Sequence, residues 1–394
     1  MKRRIAIVAS HPIQYHADWY RELALSPELD VEVLYCHRAT ADDQAQAGFG
    51  TSFEWDVPLL DGYRHRFLRN ASRKPGVTDF GGTDSPELRG IVIHERYDAV
   101  VVSGWHTKSY WQAIRACREC GTPVMVRSDS HLHDDRSVSR QLLKWIPYRY
   151  FISRFDACLA AGIWSRDYFL HYGARPERVF IVPHCAPQLP PRLRVPGERQ
   201  ALRDRARHRW ALGNATVFLF AGKFIARKRP LEFIRAVAAA SAAGSAVHGL
   251  IVGEGALRNG MESLALDMDA PVTFTGFLNQ EAISDAYAAA DVLVLPSDQD
   301  TWGLVVNEAM TYGLPCIVSD RVGCGPDLIH EGRTGFVFPV GDVETLARDM
   351  RLCADTLGMA ERMGTEAQAL IAGHSPQAAA GALVRAVAAM MEDG

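Results

Sequence analysis

The feature that most restricts what this chain can fold into is a pattern of short apolar runs that appears, breaks, and starts again. Arg4–Ala9, Val31–Tyr35, Ala99–Ser103, Val124–Arg127, Ala157–Ala160 and Val179–Val182 are short, apolar and rich in β-branched residues. Runs without polar alternation read as strands buried on both faces, and the segments between them carry helical periodicity. A second series follows: Val217–Ala221, Gly249–Val252, Val272–Thr275, Val292–Leu295, Pro315–Ser319 and Gly335–Phe338. Helical patterns fill its gaps at Pro230–Ala243, Gln280–Ala290, Val305–Tyr312 and Val343–Ala354. Two such series imply an α/β fold of two Rossmann-like parallel-sheet domains.

Between the series, Ala186–Gly197 holds four prolines, which fix φ and remove backbone donors, so no regular element is expected there. The expected division is an N-terminal domain over 1–185, a linker over 186–200 and a C-terminal domain over 201–375. A last Ala-rich amphipathic helix, 376–394, has no strand after it and is expected to pack back on the first domain. Ligands of open α/β sheets bind at the carboxyl ends of the strands. Two such domains facing each other are expected to line a central cleft.

Composition narrows the partners. The 394 residues carry a net charge of −3, so the chain as a whole is no nucleic-acid binder. No run of about 18 apolar residues is present to span a membrane. Met1-Lys-Arg-Arg is followed by a run too short for a signal peptide, so a first strand and a cytoplasmic protein are expected. The eight cysteines are scattered and read as reduced thiols; the lone Cys117-x-x-Cys120 lacks the second pair a zinc site needs.

Two segments carry the chemistry. After the strand ending at Leu295 comes a polar loop, then a helix starting near Gly303. The N–H groups of Thr301, Trp302, Gly303 and Leu304 at that helix start suit a diphosphate. Asp300 in the loop and Glu308 about two turns into the helix can accept hydrogen bonds from sugar and ribose hydroxyls. An N-cap and a solvated acid are the bland alternatives, weaker for Glu308 because Leu304, Val305, Ala309 and Met310 look buried. The second segment runs from a strand into Gly222-Lys223, with Lys228 just before a helix. Two ammonium groups there can clamp a diphosphate; a solvated basic loop is the alternative.

Six motifs stand in order here: Gly222-Lys-x4-Lys228, Gly253-Glu-Gly255, Phe274-Thr-Gly-Phe277, Asp300-x7-Glu308, Ser319-Asp-x2-Gly323 and Gly332-x-Thr-Gly-Phe336. Together they resemble glycosyltransferase family 4, retaining enzymes of the GT-B fold, over about residues 215–345. The resemblance implies that Lys228 is the diphosphate lysine and that Lys223 stands where the family often has Arg. It further implies that Glu308 holds the ribose, that Asp300 contacts sugar hydroxyls where the family has Glu, and that Phe277 and Leu278 border the base. It implies no cofactor and no metal, although Asp298-Gln-Asp300 reads as a DxD string.

In the N-terminal half the resemblance is looser. Ser10-His-Pro-Ile-Gln-Tyr-His16 follows the first strand without the glycines the family often carries there, leaving Gln14, Tyr15 and His16 as residues that can face the cleft. His106 ends the strand where the family tends to place a His near the transferred sugar. Asp129 and His131 end the next strand. His131-Leu-His-Asp-Asp135 alternates too closely for a tetrahedral metal site without further ligands and reads as a loop. Arg136–Arg154 interleaves five basic residues (Arg136, Arg140, Lys144, Arg149, Arg154) with Trp145, Tyr148, Tyr150 and Phe151. That mixture suits an anionic membrane surface or a lipid-linked acceptor, but a helix whose aromatics belong to the core is the preferred reading.

The expected reaction moves a sugar from a nucleotide-diphosphate sugar to an acceptor hydroxyl with retention. By the resemblance, a front-face process in which the leaving phosphate takes the acceptor's proton is plausible. The rivals are a sugar-nucleotide 2-epimerase of the same fold and a nucleotide-sugar-binding protein without catalysis. A dehydrogenase is disfavoured because no G-x-G-x-x-G follows the first strand.

Overall fold

The computed structural model describes residues 2–41, 52–133 and 138–392. Within these, residues 2–41, 58–133, 138–185 and 376–392 form one compact unit, and residues 52–57 and 186–375 form a second.

The first unit is built on seven strands: β1 (Arg3–Ala9), β2 (Leu29–Tyr35), β3 (His65–Phe67), β4 (Ala99–Val102), β5 (Val124–Ser128), β6 (Ala157–Ala160) and β7 (Val179–Ile181). They lie in the order β3-β2-β1-β4-β5-β6-β7, every neighbouring pair parallel. Successive side chains point to opposite faces, and both faces are covered, which is why the strands read as unbroken apolar runs. Ile5, Ile7, Val33, Val101 and Leu159 face one cluster with Trp19 and Leu23; Ala6, Val8, Leu34, Val100 and Val126 face the other with Ile114 and Phe169. The last helix, Pro376–Glu392, sends Ala379, Leu383, Ala386, Val387 and Met390 into the first of these clusters. Each large aliphatic side chain so buried contributes on the order of 2 kcal/mol.

The strand β3 is absent from the sequence reading. It is three residues long, pairs only with β2 at the sheet edge, and carries Arg66 to Glu32 at 3.0 Å, so it shows no apolar run.

The second unit holds β8 (Thr216–Ala221), β9 (Val247–Val252), β10 (Val272–Gly276), β11 (Val292–Leu295), β12 (Cys316–Ser319) and β13 (Gly335–Phe338). Their order is β10-β9-β8-β11-β12-β13, again all parallel. In both sheets the winding reverses beside the first strand, between β1 and β4 and between β8 and β11. Loops leaving adjacent strands there diverge and open a crevice at the carboxyl ends. The register Val8 to Val102 starts the loops after β1 and β4 side by side, and Leu293 to Leu219 does the same for β11 and β8.

The proline-rich segment contains one 3-10 turn, Pro191–Arg194, with proline at its first position, where a missing N–H removes no bond. The helix Glu198–Arg209 follows directly. Residues 52–57 join the second unit through the Phe53 ring, 4.5 Å from that of Phe277, and through the Glu54 carbonyl, which accepts from Asn279 Nδ2 at 2.7 Å. Among the described residues no helix is long and apolar enough to cross a membrane.

Candidate functional site

In the second unit, three loops meet at the carboxyl ends of β8, β11 and β12. The loop after β8 is held by the one after β9. Gly222 N–H donates to Val252 O at 3.0 Å, Phe224 N–H to Glu254 O at 2.9 Å, and Leu257 N–H to Phe224 O at 3.0 Å. So close an approach leaves no room for side chains: a Cβ on Gly253, whose φ is +137°, would stand 1.9 Å from the Gly222 carbonyl oxygen. The Gly253-Glu-Gly255 motif is therefore the backing that fixes Gly222-Lys223. A 3-10 turn, Ala226–Lys228, then delivers Lys228 to the start of the helix Pro230–Ala242.

The loop after β11 is zipped to the one after β12. Gly323 N–H donates to Asp300 O at 2.9 Å, Cys324 N–H to Trp302 O at 2.8 Å, and Asp300 N–H to Arg321 O at 3.3 Å. On its other side Asp298 N–H donates to Arg227 O at 2.9 Å. Gly303 caps the helix Leu304–Thr311 with φ +95°, and a Cβ there would lie 2.9 Å from Val322 Cγ1, so glycine is required by backbone and by space. The first N–H groups of that helix have no acceptor inside it and bear the positive end of its dipole.

Lys228 and Asp300, each expected to meet substrate, form an ion pair with one another, both side chains largely buried. Lys223 stands beside them. Burial, then Arg227 and Lys228, push its ammonium down to about 8, against the pull of Asp300. Asp298 faces Arg229 at 4.0 Å. The two acids of the Asp298-Gln-Asp300 string thus face cations, and among the described residues no group of three His, Cys, Asp or Glu side chains can hold a metal.

Glu308 is buried, and Tyr287 Oη donates to its Oε2. The Tyr287 ring stacks on Tyr312 at 5.1 Å, and Tyr312 Oη donates to Ser284 at 2.8 Å, so a chain of aromatic and hydroxyl contacts orients the carboxylate. Tyr287 is missing from the sequence reading; a lone Tyr in the Ala-rich helix Ile283–Ala289 carries no local signal. Trp302 is buried and its Nε1–H donates to Asn307 at 2.9 Å, while Thr301 is exposed at the loop mouth. Phe277 and Leu278 are half-buried after β10, Phe277 against Phe53.

In the first unit, the residues after β1 and β4 gather with others. Gln14, Tyr15 and His16 open the helix Gln14–Leu25, all half-buried. The His16 ring stacks parallel to that of His184 at 6.3 Å and tilts on Tyr20 at 5.8 Å. Its pKa is held well below the ordinary range by burial, then by Arg127. His184 Nε2 lies 3.7 Å from Asp129 Oδ2. His106 packs edge-on against Tyr110 at 5.3 Å; burial lowers its pKa and Asp129 opposes the shift. His131 is buried against Trp164, its Nδ1 accepting from His133 N–H at 3.2 Å. Arg127 and His184 carry no role in the sequence reading, though both end strand runs as His106 does.

Asp134, Asp135, Arg136 and the side chain of Arg140 lie outside the described residues. In the helix Val138–Ile152 the aromatics divide. Phe151 is buried and Tyr148 packs on Trp105, but Tyr150 is 64% exposed, as are Leu143 at 80% and Ile146 at 71%. Lys144 Nζ donates to Tyr168 Oη at 3.0 Å, and Arg154 covers the Tyr150 ring at 3.3 Å. Cys117 is buried and its thiol pushed up to about 12, while the exposed Cys120 points back to the Ala116 carbonyl at 3.2 Å.

Known proteins resemble this chain in both halves. A family described as "Glycosyl transferase 4-like domain" matches residues 12–185, and "Glycosyl transferases group 1" matches residues 203–370. The D-inositol 3-phosphate glycosyltransferase of Streptomyces coelicolor is 34% identical over 216 residues, 50% of this chain and 47% of its own length. Sulfoquinovosyl transferase SQD2 of Arabidopsis thaliana is 44% identical over 125 residues, 29% of this chain and 24% of its own. The chain thus spans half or less of the length of these relatives. Among solved structures, a glycosyltransferase from Rickettsia africae matches over the whole of both chains with a TM-score of 0.73 at 13% identity. HepE from Anabaena, in complex with UDP and glucose, matches with a TM-score of 0.69 at 16% identity, over 98% of this chain and 99% of that one. With one glycosyltransferase family model on each half and two parallel sheets of the same winding, the chain belongs to the GT-B glycosyltransferases of the family 4 type.

Proposed function

We propose that this protein transfers a sugar from a nucleoside-diphosphate sugar to an acceptor hydroxyl with retention at the anomeric carbon, and that it needs no metal. The observation that carries the reading is the meeting of Lys223, the Lys228–Asp300 pair and the N-terminus of the helix Leu304–Thr311 at the β8/β11 switch point. A donor diphosphate satisfies all three. Lys228 exchanges Asp300 for a phosphate, and Asp300, released, accepts from hydroxyls of the sugar. Lys223 regains its proton beside the added negative charge. Glu308, oriented by Tyr287, accepts from the ribose hydroxyls. As the glycosidic bond breaks, negative charge grows on the diphosphate, and cations and helix N–H groups fixed there beforehand stabilise it. That HepE is described as binding UDP and glucose agrees with a nucleotide-sugar donor. The acceptor is assigned to the first unit, and the exposed Leu143, Ile146 and Tyr150 suit a peripheral contact with an anionic membrane bearing a lipid-linked acceptor.

The test is a panel of UDP-, GDP- and ADP-sugars, each with and without added acceptors. Transfer with retained anomeric configuration supports the reading. Isomerisation of a donor with no acceptor present, or binding with no turnover on any acceptor, overturns it.

A further inference from the structure

Arg127, near the carboxyl end of β5, is a buried cation whose donors are poorly served. It is 7% exposed, and its Nε has no partner among the described residues. Its Nη1 stands 3.5 Å from His16 Nε2, and its Nη2 stands 3.3 Å from His184 Nδ1 and 3.4 Å from the Pro183 carbonyl. All three contacts are long for a charged donor, which ordinarily closes to about 2.8 Å on its acceptor. The guanidinium also lies over the Trp19 ring at 5.0 Å. No carboxylate forms an ion pair with it among the described residues. Asp129, the acid that attracts it, contacts His184 instead and keeps a side chain 37% exposed.

Such an arrangement is costly unless something completes it. Removing a guanidinium from water without a counter-charge costs several kcal/mol, and its fixed fork of five donors matches the paired oxygens of a phosphate or carboxylate. The two histidines are held neutral by burial beside this cation. His16, whose Nε2 faces Arg127, can offer its Nδ1–H to an oxyanion, while His184 sits between Arg127 and Asp129 and orients both. The cluster reaches the surface through the half-buried His16 and the exposed side of Asp129. It lies at the carboxyl ends of β1 and β5, on the side of the sheet where ligands of this fold class bind.

We propose that Arg127 and His16, braced by His184, form an oxyanion site in the first unit that takes a phosphate or carboxylate group of the acceptor, so that the acceptor of this transferase is an anionic molecule. The assignment to the acceptor rests on the transferase reading; the oxyanion site itself does not. Asp129, beside His184, then faces the acceptor's hydroxyls rather than its charge.

The experiment follows the imidazole proton signals of the full-length protein by NMR while inorganic phosphate is added at constant ionic strength, without and with saturating UDP. His16→Gln and His184→Gln assign the two rings. Both rings are expected to shift saturably, with UDP present or absent. Arg127→Gln weakens the response at least about tenfold, and Arg127→Lys, which keeps the charge, retains part of it and rules out loss of folding as the cause. Lys228→Ala weakens UDP binding and keeps the phosphate response. No saturable shift, or an equal shift in Arg127→Gln, overturns the site. Abolition of the shift by UDP gives the oxyanion to the donor and overturns the anionic acceptor. Failure of UDP to bind at all, with the phosphate response intact, counts against the proposed donor site and leaves the oxyanion site standing.

Discussion

The two sheets reverse their winding in the same way, yet their switch points are furnished oppositely. In the second unit a cation already holds an anion, Lys228 on Asp300, and glycines bring backbone to within contact of backbone around it. In the first unit a buried arginine leans on two histidines and an aromatic ring, with no carboxylate bonded to it among the described residues. On the proposed reading, the first arrangement exchanges partners when donor binds, and the second gains a counter-charge from its ligand. The difference between the two switch points lies in side chains at strand ends rather than in topology.

The largest effects are expected where the exchange is removed. Glu308→Ala and Lys228→Ala should each lower kcat/KM for transfer by about a hundredfold or more with circular dichroism unchanged; near-normal turnover in both would refute the assignment of the second switch point. Gly253→Ala forces a Cβ against the Gly222 carbonyl at φ +137°. It should destabilise the protein by about 2 kcal/mol or more, seen as a lower thermal midpoint, and loosen donor binding with it. Tyr287→Phe leaves Glu308 without its hydroxyl donor and should weaken donor affinity by about tenfold, read as a raised KM for the donor at nearly constant kcat.

A pH effect separates the two switch points further. Lys223 titrates at about 8 in the free protein. Bound diphosphate raises that value, so affinity is level below pH 8 and falls above it, by up to about tenfold per pH unit, with proton uptake in calorimetry. Lys223→Arg should remove the fall. Arg127 stays charged throughout that range, so phosphate at the first unit should show no matching loss. The smallest effect is expected at the surface: Leu143→Ser with Ile146→Ser should lower sedimentation with anionic vesicles and leave UDP binding unaltered. Equal sedimentation by both forms removes the membrane contact.

The legibility of these regions in the sequence differs for physical reasons. Strands buried on both faces announce themselves as apolar runs, so twelve of the described strands are readable and β3, three residues at an edge, is not. The elements of the second switch point are readable because close backbone approach demands glycine at fixed spacings, as at Gly253, Gly303 and Gly323. What the sequence does not carry is pairing across space. Nothing local says that Lys228 meets Asp300 across 72 positions, that Tyr287 holds Glu308, or that residues 52–57 join the second unit. Arg127 and His184 stand at strand ends, where a polar residue closing an apolar run is itself a signal, but their meeting depends on the sheet order.

Isothermal titration of UDP, GDP and ADP into the wild-type protein and Lys228→Ala tests directly whether the second switch point holds the donor. At least one nucleoside diphosphate is expected to bind the wild type saturably, without added metal, and Lys228→Ala to weaken that binding by about tenfold or more. Binding of equal strength to both proteins, or of none to the wild type, would contradict that assignment.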